Sequence, residues 1–199
     1  RKKVAATDKG RAEKKALTSL TNKVFAPVKP MVERHVDTFN QLGFSIDLAN
    51  PKFPEKAILS EEIISITEIK TQNWIGIAPF AQYESKVYPT DLMQQVIDDL
   101  AKNKNVKIFL FGGGATEIQK LNQLQNQHEN VMVVAGKFAF ESEIQLISNL
   151  DIMLSMDSGN SHIAAMLGVK VITLWGATHP FAGFKPFNQP DDFCLTADR

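Results

Sequence analysis

Residues 156–168 read MDSGNSHIAAMLG: an acid, a hydroxyl and a glycine stand between the apolar run DIMLSM and a run of small residues. Asp157, Ser158 and Gly159 would join a strand to a helix. The first amides of a helix have no acceptor within it and carry the positive end of its dipole, so such a turn can hold a phosphate. Ser158 can add a hydroxyl donor, and Gly159 admits a ligand where a Cβ would obstruct it. Asp157 repels phosphate and is expected to orient the turn or cap the helix. The same residues also read as an ordinary N-cap and turn. His162, one turn into the helix, reads equally as a ligand near that mouth and as a partly buried structural histidine.

Other residues of chemical type fall at comparable places. Lys86, between Ser85 and Tyr88, can reach a diphosphate as a point charge, or is a solvated loop lysine. Glu117 follows the glycines of FGGG and can accept from ribose hydroxyls, or complements a helix dipole. Phe138, in GKFAF, can pack on a flat base, or is core. His179, in GATHP, can pair with phosphate when protonated. His35 and His128 have no assigned role. Four scattered histidines and one cysteine lack the paired spacing of a zinc site, so no metal is expected. FGGG is half of a dinucleotide fingerprint and follows the wrong strand, so no nicotinamide cofactor is expected either.

The elements that would hold these residues alternate from residue 73 onward. WIGIAPF, VKIFLFGGG, VMVVAG, DIMLSM and VKVITLWG read as five strands. PTDLMQQVIDDLAKN, TEIQKLNQLQNQ, FESEIQLISNL and SHIAAMLG read as four helices, the last stopped by Gly168. Most strands are apolar at consecutive positions, which implies burial on both faces. The fold class is therefore α/β, a doubly wound parallel sheet of Rossmann type. Ligands bind beyond the carboxyl ends of such strands, and nearly every unusual residue lies in a loop there. Residues 1–72 break the pattern. KVAAT can be a strand, RAEKKALTSL is basic, and PMVERHVDTFNQLGF reads as helical. The residues after it, 45–72, show no clear period.

Composition narrows the class. The 199 residues are 44% hydrophobic and 22% charged with zero formal net charge, which argues against a nucleic-acid partner. Residues 1–35 nevertheless carry ten Lys or Arg against three acids, a local +7 balanced by −7 elsewhere. Such a segment can face anionic lipid or a phosphorylated acceptor, or be a solvated face. Cys194 is the only cysteine, so no internal disulfide forms, in keeping with a reducing compartment. No apolar run approaches the roughly 20 residues of a membrane span.

Taken in order, KVYP, FGGG-x-x-E, AGK, MDSGNSHIAAMLGVKVITLWGATHP and a later KP resemble the C-terminal half of glycosyltransferase family 9, the lipopolysaccharide heptosyltransferases. DKGRAEKKALT resembles the end of that family's N-terminal domain. The resemblance implies a GT-B fold in which residues 1–48 end an acceptor-side domain, 49–72 form a linker, and 73–199 form a Rossmann-like nucleotide-sugar domain. It implies a donor such as ADP-heptose and a lipid-linked saccharide acceptor, handled by an inverting, metal-independent enzyme. That enzyme would be cytoplasmic, with peripheral contact on the inner face of the membrane. Lys86 would contact the donor phosphates, Asp157, Ser158 and Gly159 would form the phosphate turn, and His162 would lie beside it. Phe138 would meet the base, Glu117 the ribose, and Thr178 would line the last loop. Where the family often has hydroxyl residues touching phosphate, this chain has Ala81 and Gln82; Tyr88 stands for the usual tryptophan. The family's general base belongs to an earlier part of the N-terminal domain, so the catalytic residue is expected outside these residues, which read as an inactive fragment. A sugar-nucleotide epimerase of the same fold and a non-catalytic nucleotide-binding module are the alternatives.

Overall fold

The computed structural model describes residues 2–197. Arg1, part of the basic segment, and residues 198 and 199, at the end of the expected nucleotide domain, lie outside the described residues. Strands β1 (Asn73–Ala78), β2 (Val106–Leu110), β3 (Val131–Val133), β4 (Ile152–Met156), β5 (Lys170–Trp175) and β6 (Cys194–Thr196) form one parallel sheet. Their order is β3-β2-β1-β4-β5-β6. Five were expected; β6 is an addition. Ile75 in β1 stands level with Ile108 on one side and Ile152 on the other, so the chain reverses its direction of winding between β1 and β4. That reversal is where open α/β sheets leave a crevice.

Consecutive apolar residues serve two faces. Trp74, Phe109, Met153 and Val171 point to one face, beneath α3 (Glu61–Thr67), α6 (Phe140–Ser148) and α7 (Gly159–Met166). Ile77, Ile108, Leu110 and Met156 point to the other, beneath α4 (Thr90–Ala101) and α5 (Gly114–Gln125). On this second face the helices do not reach β5 and β6. Ile152, Leu154, Ile172 and Leu174 remain half-buried and floor an open groove of about 820 Å³, walled by Leu92 and Val96 of α4.

Gly168 sits just past the end of α7 in a left-handed conformation, φ 77°. The Val169 N–H reaches the Ala164 carbonyl and the Gly168 N–H the Ala165 carbonyl, the paired bonds of a Schellman ending.

The first 72 residues differ from expectation in two places. Residues 3–7 form no strand. The stretch after residue 45, without visible period, contains α3: Ser60 caps it by accepting from the Ile63 N–H, and Ile63 is fully buried against the sheet. The basic stretch includes α1 (Arg11–Leu17), and the expected helix is α2 (Met31–Leu42). The Arg34 side chain is 3% exposed; it pairs with Asp8 at 2.7 Å and with Glu13, and donates to the Lys29 carbonyl. Backbone bonds from Val28 to Phe181 and from Met31 to Gly183, each 2.9 Å, attach this segment to the loop after β5.

Candidate functional site

The sequence dictates three loops at the carboxyl ends of β1, β4 and β5, and the sheet order sets them side by side. The loop after β1 makes a short 3-10 turn, Glu84–Lys86, which aims Lys86 toward β4. There its ammonium lies 2.7 Å from Asp157 Oδ2. The Thr178 hydroxyl, from the loop after β5, donates to the same oxygen at 2.9 Å. Asp157 has only 7% of its side chain exposed, against 23% for Lys86. A carboxylate so enclosed needs both partners, and both are supplied by other loops. Asp157 therefore neither caps α7 nor faces solvent: it fastens the three loops together.

Gly176 makes that closure possible. A Cβ there would lie 2.7 Å from the Ser85 carbonyl oxygen and 3.1 Å from the Lys86 Cα. With hydrogen in its place, the Ala177 N–H reaches the Ser85 carbonyl at 2.9 Å. Sequence reading passed over Gly176 as part of GATHP; the available signal was a glycine set directly against the end of an apolar strand.

Helix α7 starts beside this cluster. Its N-cap, Ser158, makes no side-chain cap; its hydroxyl lies 3.1 Å from that of Ser155. Gly159, the first helical residue, has no heavy atom within 4 Å of where a Cβ would point. A side chain at this position would meet open space, and the first amides of α7 have no acceptor within the helix, the two local features an anion site at this end would use. His162, half-buried one turn on, is held below its ordinary pKa by burial; the Asp157 carboxylate pulls upward and Lys86 adds to the downward shift. Near pH 7 the ring is therefore neutral, able to donate one hydrogen bond but not to bring a charge.

The remaining expected residues lie along the same edge without touching this cluster. Gln82 is exposed in the loop after β1. Glu117, after β2, accepts from the Gly113 N–H at 2.8 Å, folding back over its own helix start. Phe138, after β3, packs partly on the core beneath α6. His179 accepts at Nδ1 from the Phe181 N–H, with its ring tilted against Phe25 and edge-on to Phe181, so that nitrogen is not available to donate to phosphate. Among the described residues no group of three His, Cys, Asp or Glu is placed to hold a metal ion.

Comparison with known proteins finds relatives of this chain and of its fold. The profile of glycosyltransferase family 9 (heptosyltransferase) matches residues 1–197. Lipopolysaccharide heptosyltransferase 1 of Campylobacter coli is 27% identical over 152 residues, 74% of this chain and 43% of that protein. Lipopolysaccharide heptosyltransferase 3 of Escherichia coli is 28% identical over 109 residues, 54% of this chain and 32% of its own. The E. coli heptosyltransferase WaaC with ADP superposes with a TM-score of 0.66 at 23% identity, over 89% of this chain and 54% of that one. A family 9 glycosyl transferase from Veillonella parvula superposes with a TM-score of 0.67 at 19% identity, over 85% and 49%. These structures establish the shared GT-B fold, and the chain spans about half or less of the length of the proteins it matches. Since the family profile runs the length of the described fold and takes in every loop of the cluster, the chain belongs to glycosyltransferase family 9, the heptosyltransferase family.

Proposed function

We propose that this chain is the donor-binding half of a heptosyltransferase that takes its sugar from ADP-heptose and passes it to a lipopolysaccharide-type saccharide. The observation that carries this is the order of the loops along the sheet edge: Phe138, Glu117, Lys86, then Asp157 with the start of α7. Neighbouring strands lie about 4.8 Å apart, so the row from β3 to β4 spans about 14 Å. A nucleotide laid along it would meet an aromatic ring at its base, a carboxylate at its ribose, and an ammonium with open amides at its diphosphate. The C. coli and E. coli relatives are named as lipopolysaccharide heptosyltransferases, and the WaaC structure contains ADP.

The chemistry is a single displacement. The acceptor oxygen forms a bond to the anomeric carbon as its proton passes to a base, and the carbon–oxygen bond to the diphosphate breaks. Attack from the face opposite the leaving group inverts the centre. Lys86 and the α7 amides would take up the charge of the departing ADP, the task a metal performs elsewhere. Asp157 is committed to Lys86 and Thr178, which leaves it a structural anion rather than the base. The base, and turnover, are assigned to the longer protein. The exposed basic residues among the first 35, which leave out the buried Arg34, suit an anionic acceptor at the inner face of a cytoplasmic membrane. Among the described residues no helix is long and apolar enough to cross a membrane.

Calorimetric titration with ADP, UDP, GDP and ADP-heptose tests the reading. Selective binding of ADP and ADP-heptose is expected, with turnover by the longer protein unaffected by EDTA. Equal affinity for all three nucleotides would remove the ADP assignment, and failure of the longer protein to turn over any sugar nucleotide would favour a binding module.

A further inference from the structure

We infer that Thr178 is a positioning residue: it acts on the donor through Asp157, by sharing the oxygen that holds Lys86, rather than by touching the donor itself. This rests on the donor-site reading above. Asp157 Oδ2 receives the Lys86 ammonium at 2.7 Å and the Thr178 hydroxyl at 2.9 Å. Two donors on one carboxylate oxygen divide its charge between them. Without the hydroxyl, all of that attraction falls on the ammonium, in a place where Asp157 has little water to turn to. Lys86 would then be drawn inward and yield less readily to a phosphate at the mouth.

The loop that carries Thr178 is fixed independently of any ligand. Gly176 lies against the Ser85 carbonyl with no room for a Cβ, and Ala177 donates to that carbonyl. The β5 loop is thereby tied to the β1 loop immediately ahead of Thr178, whose hydroxyl reaches Asp157 at 2.9 Å. The loop after β5 sets how much of the Lys86 charge is available, without itself forming part of the anion site.

The test is a double-mutant cycle with ADP as probe and Lys86 acylation as a ligand-free measure. Thr178→Val is expected to weaken ADP binding about tenfold, the scale of one hydrogen bond to a charged group. Thr178→Ser is expected to restore it. In an Asp157→Asn background, Thr178→Val should change ADP affinity less than twofold, because the shared anion is gone. Acylation of Lys86 by acetic anhydride, read by mass spectrometry, should slow in Thr178→Val and accelerate in Asp157→Asn. A tenfold loss that persists in the Asp157→Asn background would assign Thr178 a direct donor contact and overturn the inference. So would a Thr178→Ser variant that behaves like valine, or an acylation rate unmoved by Thr178→Val. If the wild-type chain binds no ADP while the acylation rates shift as stated, the donor reading falls and the positioning role stands.

Discussion

Replacing Gly159 with leucine separates what the fold needs from what a ligand needs. No heavy atom lies within 4 Å of a Cβ at this position, and Gly159 is not among the residues with positive φ. The backbone thus accepts any L-residue. Losing the glycine removes freedom from the unfolded chain, worth about 0.4–1 kcal/mol of added stability, or about 1–4 °C in a chain of this size. On the donor-site reading, the same side chain would stand beside a diphosphate held at the first amides of α7. A phosphate there would accept two or more charge-assisted hydrogen bonds of about 1.5–3 kcal/mol each. Losing them should weaken ADP binding by a factor of about one hundred or more.

Thermal melting and calorimetric titration of the same sample read both effects. The expected result is an unchanged or raised Tm with ADP binding abolished. Wild-type affinity in Gly159→Leu would show that no anion sits at α7. A fall of many degrees would show that the open space is not open in solution. Gly176→Ala supplies the contrast, because its Cβ would press on backbone at 2.7 Å. Overpacking of this kind costs about 1–3 kcal/mol, so its Tm should fall. Two glycines at one site should therefore move stability in opposite directions.

Lys86→Met leaves the enclosed Asp157 with Thr178 alone, which should lower stability by about 1–3 kcal/mol in denaturant titration and weaken ADP binding at least tenfold. Undiminished ADP affinity would remove Lys86 from the site. Burial holds His162 below its ordinary 6.5, so below that pH the unfolded chain binds a proton that the folded chain resists. The stability tied to His162 is complete above pH 6.5 and is lost as the pH falls toward the lower folded value. His162→Gln should accordingly flatten the dependence of Tm on pH between about 7 and 5, and an unaltered slope would count against a buried neutral ring. Leu195, 49% exposed at the rim of the groove beside β5, offers a surface test. Leu195→Lys should reduce fluorescence of a bound hydrophobic dye while shifting stability by no more than about 0.5 kcal/mol; unchanged fluorescence would show that the groove is not what the dye reads.

The parts of this fold that were legible in the sequence are those in which one residue type has one physical use. A buried parallel strand is largely apolar on both faces, so β1, β2 and β4 announce themselves as apolar runs interrupted by single residues such as Lys107 and Ser155. Each run that ends in glycine, serine or a charged residue marks where the chain leaves the core, which is why the loop residues could be named before their positions were known. Strand β6 escaped because three residues, Cys194–Thr196, following Pro190 and two aspartates, carry no pattern of their own; only pairing with β5 makes them a strand. Helix α3 escaped for a related reason. Its seven residues are too few to show a period, although Ser60 followed by two acids was an N-terminal signal that could have been weighed.

The site was legible as a set of residues but not as an arrangement. Lys86 and Asp157 are 71 positions apart, and nothing local to either says that the other is its partner. That follows only from the placing of β1 beside β4, which the alternation of strands and helices does not specify. The role expected of Asp157 shows what this leaves out. From its neighbours alone, an acid before a serine and a glycine is a cap or a turn. Once the strands on either side are in place, it becomes an anion bonded to a lysine and a threonine from two other loops. The proposed phosphate turn belongs to a local sequence, whereas the charge that would serve it belongs to the sheet order. On the donor-site reading, substitutions at Ser158 or Gly159 should therefore act on the anion pocket directly, and substitutions at Asp157, Gly176 or Thr178 should act on it through Lys86.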